Sequence, residues 1–342
     1  MRKHLLLAAA TLLTALPLHA DDGAASIAAG GLVLMKREPR ITMVKEVLQI
    51  SLAKVIVDYD FRNDSNNSIT TVVAFPVPPY TFGEDSETFG DPAFSDFRLT
   101  VDGKPATFTI ETRAVVGKRD VTALLARKHV DAATFGHWDA QHHDYDVIPD
   151  FQHASSQAQH SLTTAGAFKD GVPRWKVEKK YYWTQTFPPH TAIHIRHQYT
   201  PVVGDTNSVS YGLNKPADPY EAKQLNSLCL EPSLRAQLTT LSQRDDRQVP
   251  YNYVDFILTT ANNWKTPIQD FTLIVERPEA DKSRRSLKPQ IDTMNESLVS
   301  FCWNGPVTKT DTNHFEAHLQ NFIPTKELRI GYIFIDRIDP TN

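Results

Sequence analysis

The chain has 342 residues, a formal charge of −4, and 41% apolar and 22% charged residues, the profile of a globular protein with room for one large or two medium domains. This mildly acidic balance, with no Lys/Arg block, argues against nucleic acid as a partner. No apolar stretch beyond residue 20 approaches the length that spans a bilayer.

Arg2 and Lys3 lead into an apolar run from Leu5 to Leu18, which closes at Leu18-His19-Ala20 before Asp21. A basic start, a short apolar centre and a small residue at the cut are the parts of a secretory signal peptide. The run is short for a membrane span and Pro17 would disturb a helix at its end, so cleavage after Ala20 is expected over an uncleaved anchor. The predicted location is the periplasm or the exterior, with no membrane span after cleavage.

From Ile41 the pattern is strand-like. Val55, Val57, Tyr59 and Phe61 alternate with Asp58 and Asp60, and the turn-forming run Asn63–Asn67 then returns the chain through Ile69 to Phe75, which reads as an antiparallel hairpin. An acidic loop over 81–95 precedes strands at 97–101 and 107–112, joined by the turn signal Asp102-Gly103. Asp120 opens a short helix through Ala126. The stretch from His129 to Lys169 is weakly periodic and reads as an insertion with partial helix. Strands resume at 175–187 and 193–199, where Ile193, Ile195, His197 and Tyr199 share one face and His194, Arg196 and Gln198 the other. A helical interval over 218–241 is split by Pro232, and strands return at 253–259, 271–276, 298–303, 314–319 and 328–335.

About a dozen short strands with turn signals between them, and helices that do not alternate with them, predict a mainly β fold. The expected form is antiparallel β-sandwich-like lobes with a few inserted short helices. An N-terminal β-rich lobe over 21–205 would carry the His-rich insertion near 129–169. A C-terminal β-rich lobe over 206–342 would carry the helical segment near 218–241, with a soft boundary near 205–215. Periodicity leaves open whether these form one sandwich or two.

Two cysteines remain after cleavage, Cys229 and Cys302, and an even pair in an exported chain reads as a disulfide. Neither sits in a CxxC pair, and two thiols alone make a poor zinc site.

Histidines 129, 137, 142, 143, 153 and 160 crowd the insertion, among Asp139, Asp144, Asp146 and Asp150. Imidazole and carboxylate bind zinc or copper, so His137, His142, His143 and Asp144 are the candidate metal ligands. The spacing does not single out a site, and a solvated His-rich loop is the competing reading. His190, His194 and His197 form a second group. There His194 and Arg196 could meet an acidic ligand, and His197 reads as a core histidine. Tyr181, Tyr182, Trp183, Tyr251 and Tyr253 suit a sugar-binding surface if exposed, or a core if not. GxSxG, P-loop and GxGxxG motifs are absent from the sequence, so no catalytic residues are assigned.

Three blocks together resemble one bacterial family of exported proteins, that of domain of unknown function 4424. The first runs from Gly30-Gly31-Leu32-Val33-Leu34 through Ile41-Thr42-Met43 and Leu48–Ser51 to Tyr59–Asn63 and Val73-Ala74-Phe75-Pro76. The second is Tyr182–Pro188 with Tyr199-Thr200-Pro201 and Gly204. The third is Phe301-Cys302-Trp303-Asn304-Gly305 with Asn321-Phe322-Ile323-Pro324. The resemblance implies an exported, β-rich protein and brings no activity or site residues; the His-rich insertion has no counterpart in its pattern. Function then reads as a non-enzymatic envelope protein that binds through loops or a sheet edge, its partner another envelope protein or a surface glycan. The alternatives are a metal-dependent envelope hydrolase built on the His-rich insertion, and a carbohydrate-binding module.

Overall fold

Alternation sets the inner face of each strand. In the computed structural model Val55, Val57, Tyr59 and Phe61 are all fully buried, while the residues between them are half exposed. The structure describes residues 23–28, 31–34, 37–81, 95–133, 137–139, 144–146, 154–206, 222, 225–245, 251–278 and 296–335. The longer strands are β1 (Gly23–Ala28), β2 (Gly31–Leu34), β3 (Ile41–Ile50), β4 (Val55–Asn63), β5 (Ile69–Pro76), β6 (Ser95–Val101), β7 (Thr109–Val116) and β8 (Lys176–Phe187). They continue as β9 (Ala192–Thr200), β10 (Gly204–Thr206), β11 (Tyr251–Phe256), β12 (Ile268–Glu276), β13 (Glu296–Phe301), β14 (His314–Phe322) and β15 (Leu328–Ile335). Helices α1 (Thr122–Arg127), α2 (Ser156–Thr164) and α3 (Pro232–Asp245) are inserted among them.

An eight-stranded sheet runs from the short strand 308–309 through β14-β12-β3-β4-β9-β6 to the short strand 104–105. Its pairs are antiparallel except β12 on β3, which is parallel. A second sheet has the order β7-β8-β5-β1-β2, with 119–120 beyond β7 and 80–81 on β8, and a third has the order β10-β11-β15-β13. The inner face of the eight-stranded sheet packs against both smaller sheets in a single cluster. Met43, Leu48, Tyr59, Ile195 and Phe271 meet Phe75 and Phe187 of the second sheet and Phe256, Ile330 and Tyr332 of the third. The mainly β sandwich architecture expected from the sequence is present, as one large sheet facing two smaller ones. Strands from either side of residues 205–215, where two lobes were expected to meet, share this sheet and this core.

Two expected hairpins are resolved differently. β4 and β5 do not pair. β4 lies in the eight-stranded sheet between β3 and β9, and β5 lies in the second sheet beside β8. The turn between them is an arch from one layer to the other, and buried Asn63 holds it. Its side-chain oxygen accepts from Ser65 N (2.9 Å) and Ser65 Oγ (2.8 Å), and its amide donates to the carbonyls of Asn67 (2.8 Å) and Phe187 (2.9 Å). Asp102 and Gly103, both at positive φ, do form a tight turn, but the returning strand pairs for only two residues before the chain crosses to β7.

The outer side of the third sheet is covered by a helical layer in which Leu225, Leu228, Leu230 and Leu238 pack on Tyr251, Tyr253 and Ile333. Pro232 starts α3, where its missing N–H costs nothing. Cys229 and Cys302 are joined, Cα to Cα 4.9 Å, across 73 residues, so the bridge fastens this layer to the end of β13. At the neighbouring edge the Tyr253 ring lies flat on Gly204, where any Cβ would stand 2.1 Å from its Cζ, and the Arg329 guanidinium covers the ring at 3.9 Å.

A second cluster forms beside the second sheet, where Leu125 of α1 and Leu162 of α2 pack on Trp175, Phe168 and Val177. α1 begins two residues later than expected, at Thr122 with Val121 in the cap position; Asp120 ends the short strand 119–120, and its carboxylate accepts from Thr122 N at 2.9 Å.

Candidate functional site

The residues named as metal ligands fall largely beyond what is described. His137 and Asp144 belong to a two-stranded ladder, 137–139 on 144–146, whose backbone alone is described. His142 and His143 lie outside the described residues. The approach to this segment is firmly held, since Tyr80 Oη donates to Ala133 O (3.0 Å) and Trp175 Nε1 to Ala132 O (2.9 Å). Among the described residues no group of three or more His, Cys, Asp or Glu side chains could hold a metal ion.

His194 and Arg196 lie on the outer, polar face of the eight-stranded sheet, as their alternation indicated, and β4 supplies their partners. His194 stands opposite Asp60, and Arg196 opposite Asp58. His194 Nδ1 is 2.9 Å from Asp60 and its Nε2 3.1 Å from Asp58, while Arg196 Nη1 contacts both oxygens of Asp58 at 3.1 and 2.8 Å. The two carboxylates lie off opposite nitrogens of the ring, which cannot converge on one metal. Instead the imidazole ties β9 to β4, and both it and the Arg196 guanidinium are already occupied by carboxylates. His190 contacts Asn66 (2.7 Å) at the arch. His197 is fully buried among Tyr59, Phe75, Phe97 and Trp183.

Four of the five aromatic residues considered for sugar binding are core residues. Tyr181, Trp183, Tyr251 and Tyr253 are each no more than 9% exposed, and burial pushes the Tyr181 hydroxyl up to about 12. Those four rings offer no face to a sugar; only Tyr182 is half exposed.

One end of the sandwich gathers charge. Asp64 accepts from Thr42 Oγ1 (2.5 Å), Lys265 Nζ (2.9 Å) and Arg62 Nε (2.7 Å). The hydrogen bond from Thr42 first, then those from Lys265 and Arg62, hold its carboxyl well below the usual carboxylate range. Because the folded value is depressed, the stabilisation is fully present above the unfolded value of ~3.9 and is lost as pH falls toward the folded one. Asp64→Asn is therefore expected to be less stable than the wild type at neutral pH and to lose less stability between pH 5 and 2. Urea midpoints across that range check this; parallel pH profiles refute it.

The third feature is an edge. β1 pairs with β5 through Gly23–Ala25 and with β2 through Ala25–Ala28. β2 is the last strand of its sheet, paired on one side only among the described residues. From Gly23 to Met35 the sequence contains no charged residue and no proline.

A family model described as domain of unknown function 4424 (DUF4424) matches residues 20–330. The chain belongs to that family. No protein of curated function matches it. A crystal structure at 2.33 Å resolution of a Legionella pneumophila protein, described as a candidate nutrient-binding protein, is similar with a TM-score of 0.39 and 15% identity, over 88% of this chain and 68% of that one. The three sequence blocks that resemble DUF4424 thus lie within the matched range. No helix among the described residues of this DUF4424 protein is long and apolar enough to cross a membrane. Asp58, Asp60 and Asp64 escaped the sequence reading as site residues because their partners are fixed by register and by the arch. The β1–β2 hairpin escaped it because an Ala- and Gly-rich run shows no alternation.

Proposed function

We propose that this DUF4424 protein is exported to the bacterial envelope and there binds another protein by accepting a strand at the β2 edge, a binding rather than a catalytic role. The β2 edge carries the proposal. Edge strands are ordinarily blunted by charge, proline or bulges, and this one has neither charge nor proline from Gly23 to Met35. Its backbone groups offer a template for β-augmentation. β1 anchors the template through β5, whose Val73 and Phe75 are core residues. Export is supported by the basic start and apolar run before Ala20, and by the Cys229–Cys302 bridge, which suits an oxidising compartment.

The test has two arms. Fractionation and N-terminal mass analysis of the chain expressed in a bacterium should place it in the envelope, beginning at Asp21; an uncleaved cytoplasmic chain refutes export. Crosslinked capture from envelope extracts should then recover a partner with the wild type and lose it with Val33→Lys, compared at a temperature where circular dichroism shows both proteins folded. Equal capture by both proteins overturns the edge as the binding surface.

A further inference from the structure

Asn304-Gly305 is the one place in the chain where glycine follows asparagine. The pair lies in the irregular link 302–307, between β13 at the edge of the third sheet and the short strand 308–309 at the edge of the eight-stranded sheet. Both residues are exposed. Among the described residues, neither the Asn304 side chain nor the Gly305 N–H takes part in a hydrogen bond. Asn63, by contrast, spends its amide on the carbonyls of Asn67 and Phe187.

The fold imposes the glycine. Gly305 has a φ of +149°, a conformation that residues with a Cβ scarcely adopt, and Pro306 keeps it out of the helical region. A Cβ there would also stand 3.3 Å from Leu319 Cδ2 and 3.6 Å from Trp303 Nε1. With no side chain to shield it, Gly305 N is open to the amide of the residue before it.

We propose that Asn304-Gly305 is a self-modification site, which converts without an enzyme to a mixture of aspartate and isoaspartate. Solvent hydroxide removes the Gly305 N–H proton, and that nitrogen bonds to Asn304 Cγ. The Cγ–Nδ2 bond breaks, and Nδ2 leaves as ammonia after taking a proton from water. Water then opens the cyclic succinimide. Addition at Cγ breaks the new bond to Gly305 N and gives aspartate. Addition at the main-chain carbonyl carbon breaks the original peptide bond and leaves the chain running through Cγ, as isoaspartate. In sum an amide and a water become a carboxylate and an ammonium ion, so no oxidant or reductant is needed. Either product places a negative charge two residues from Cys302, and isoaspartate lengthens the link between the two sheet edges by one backbone carbon. The site does not depend on the β2 edge.

The mature protein, incubated at mildly alkaline pH and sampled by peptide mass analysis, tests this. The peptide holding Asn304 should gain the mass of amide-to-acid conversion, and an isoaspartyl methyltransferase should label it. Conversion should run several-fold faster at Asn304 than at Asn67 or Asn226, which precede serine. Asn304→Gln, whose longer side chain closes a less favourable ring, should lose the mass gain with an unchanged melting temperature. The same chain unfolded in urea supplies the reference rate. A folded protein that stays unconverted while the unfolded chain converts, or one that converts no faster at Asn304 than at Asn67 and Asn226, overturns the proposal.

Discussion

Replacing Cys229 and Cys302 together by serine should destabilise the protein by up to ~4.5 kcal/mol, the chain-entropy value for a closed loop of 73 residues. For a chain of this size that corresponds to a fall of roughly 5–8 °C in melting temperature. The loss has a local origin. The bridge fastens the segment around Leu228 to the end of β13, where Ser300 Oγ also donates to Leu228 O at 2.7 Å. Leu228 lies over Gly331 of β15, so closely that a Cβ there would stand 2.4 Å from its side chain. Without the bridge, that hydrogen bond and the packing of Leu225, Leu228, Leu230 and Leu238 are left to hold the layer's described part on the third sheet. Hydrogen exchange over 225–245 should therefore rise before exchange in β3, β4 and β12. Equal melting temperatures with and without reductant, or uniform exchange, would refute this account.

Trp264→Ala is expected to cost ~3–5 kcal/mol, the range for emptying a buried aromatic site. Trp264 is 1% exposed, 4.6 Å from the Phe61 ring and 6.5 Å from Phe187, so it joins the eight-stranded and second sheets at one end of the core. The following residue extends the same junction, with Lys265 N donating to Ile41 O (2.9 Å) and Lys265 Nζ reaching Asp64. Trp264→Phe should recover part of the loss, because a smaller ring leaves a smaller cavity. Urea unfolding with an unchanged slope and a lowered midpoint checks both variants; a midpoint within experimental error of the wild type for Trp264→Ala contradicts the packing argument.

Most strands and their inner faces were legible because burial of one face imposes a period of two. Val55 to Phe61 and Ile193 to Tyr199 announced their cores, and the cysteine pair announced its bridge. Partners were not legible. The run Asn63–Asn67 has the composition of a hairpin turn, and only the hydrogen bonds from Asn63 to Asn67 and to distant Phe187 make it an arch. The same limit applies to the polar face. His194 and Arg196 were recognisable as its members, whereas Asp58 and Asp60 became their partners through cross-strand register. The His-rich candidates His142 and His143 lie outside the described residues, so composition remains their only signature.

The parallel pairing of β12 with β3 bears on how the chain can fold. β3 is made early, yet one of its two neighbours lies in the last third of the sequence, and Tyr332 Oη reaches Ile50 O across 282 residues. Contacts of such separation require large loops to close before they contribute, which makes folding slow. The N-terminal half cannot complete its central sheet while the C-terminal third is still unmade. A topology that defers its central pairing to the end keeps the chain unfolded for longer, which would suit the export proposed above.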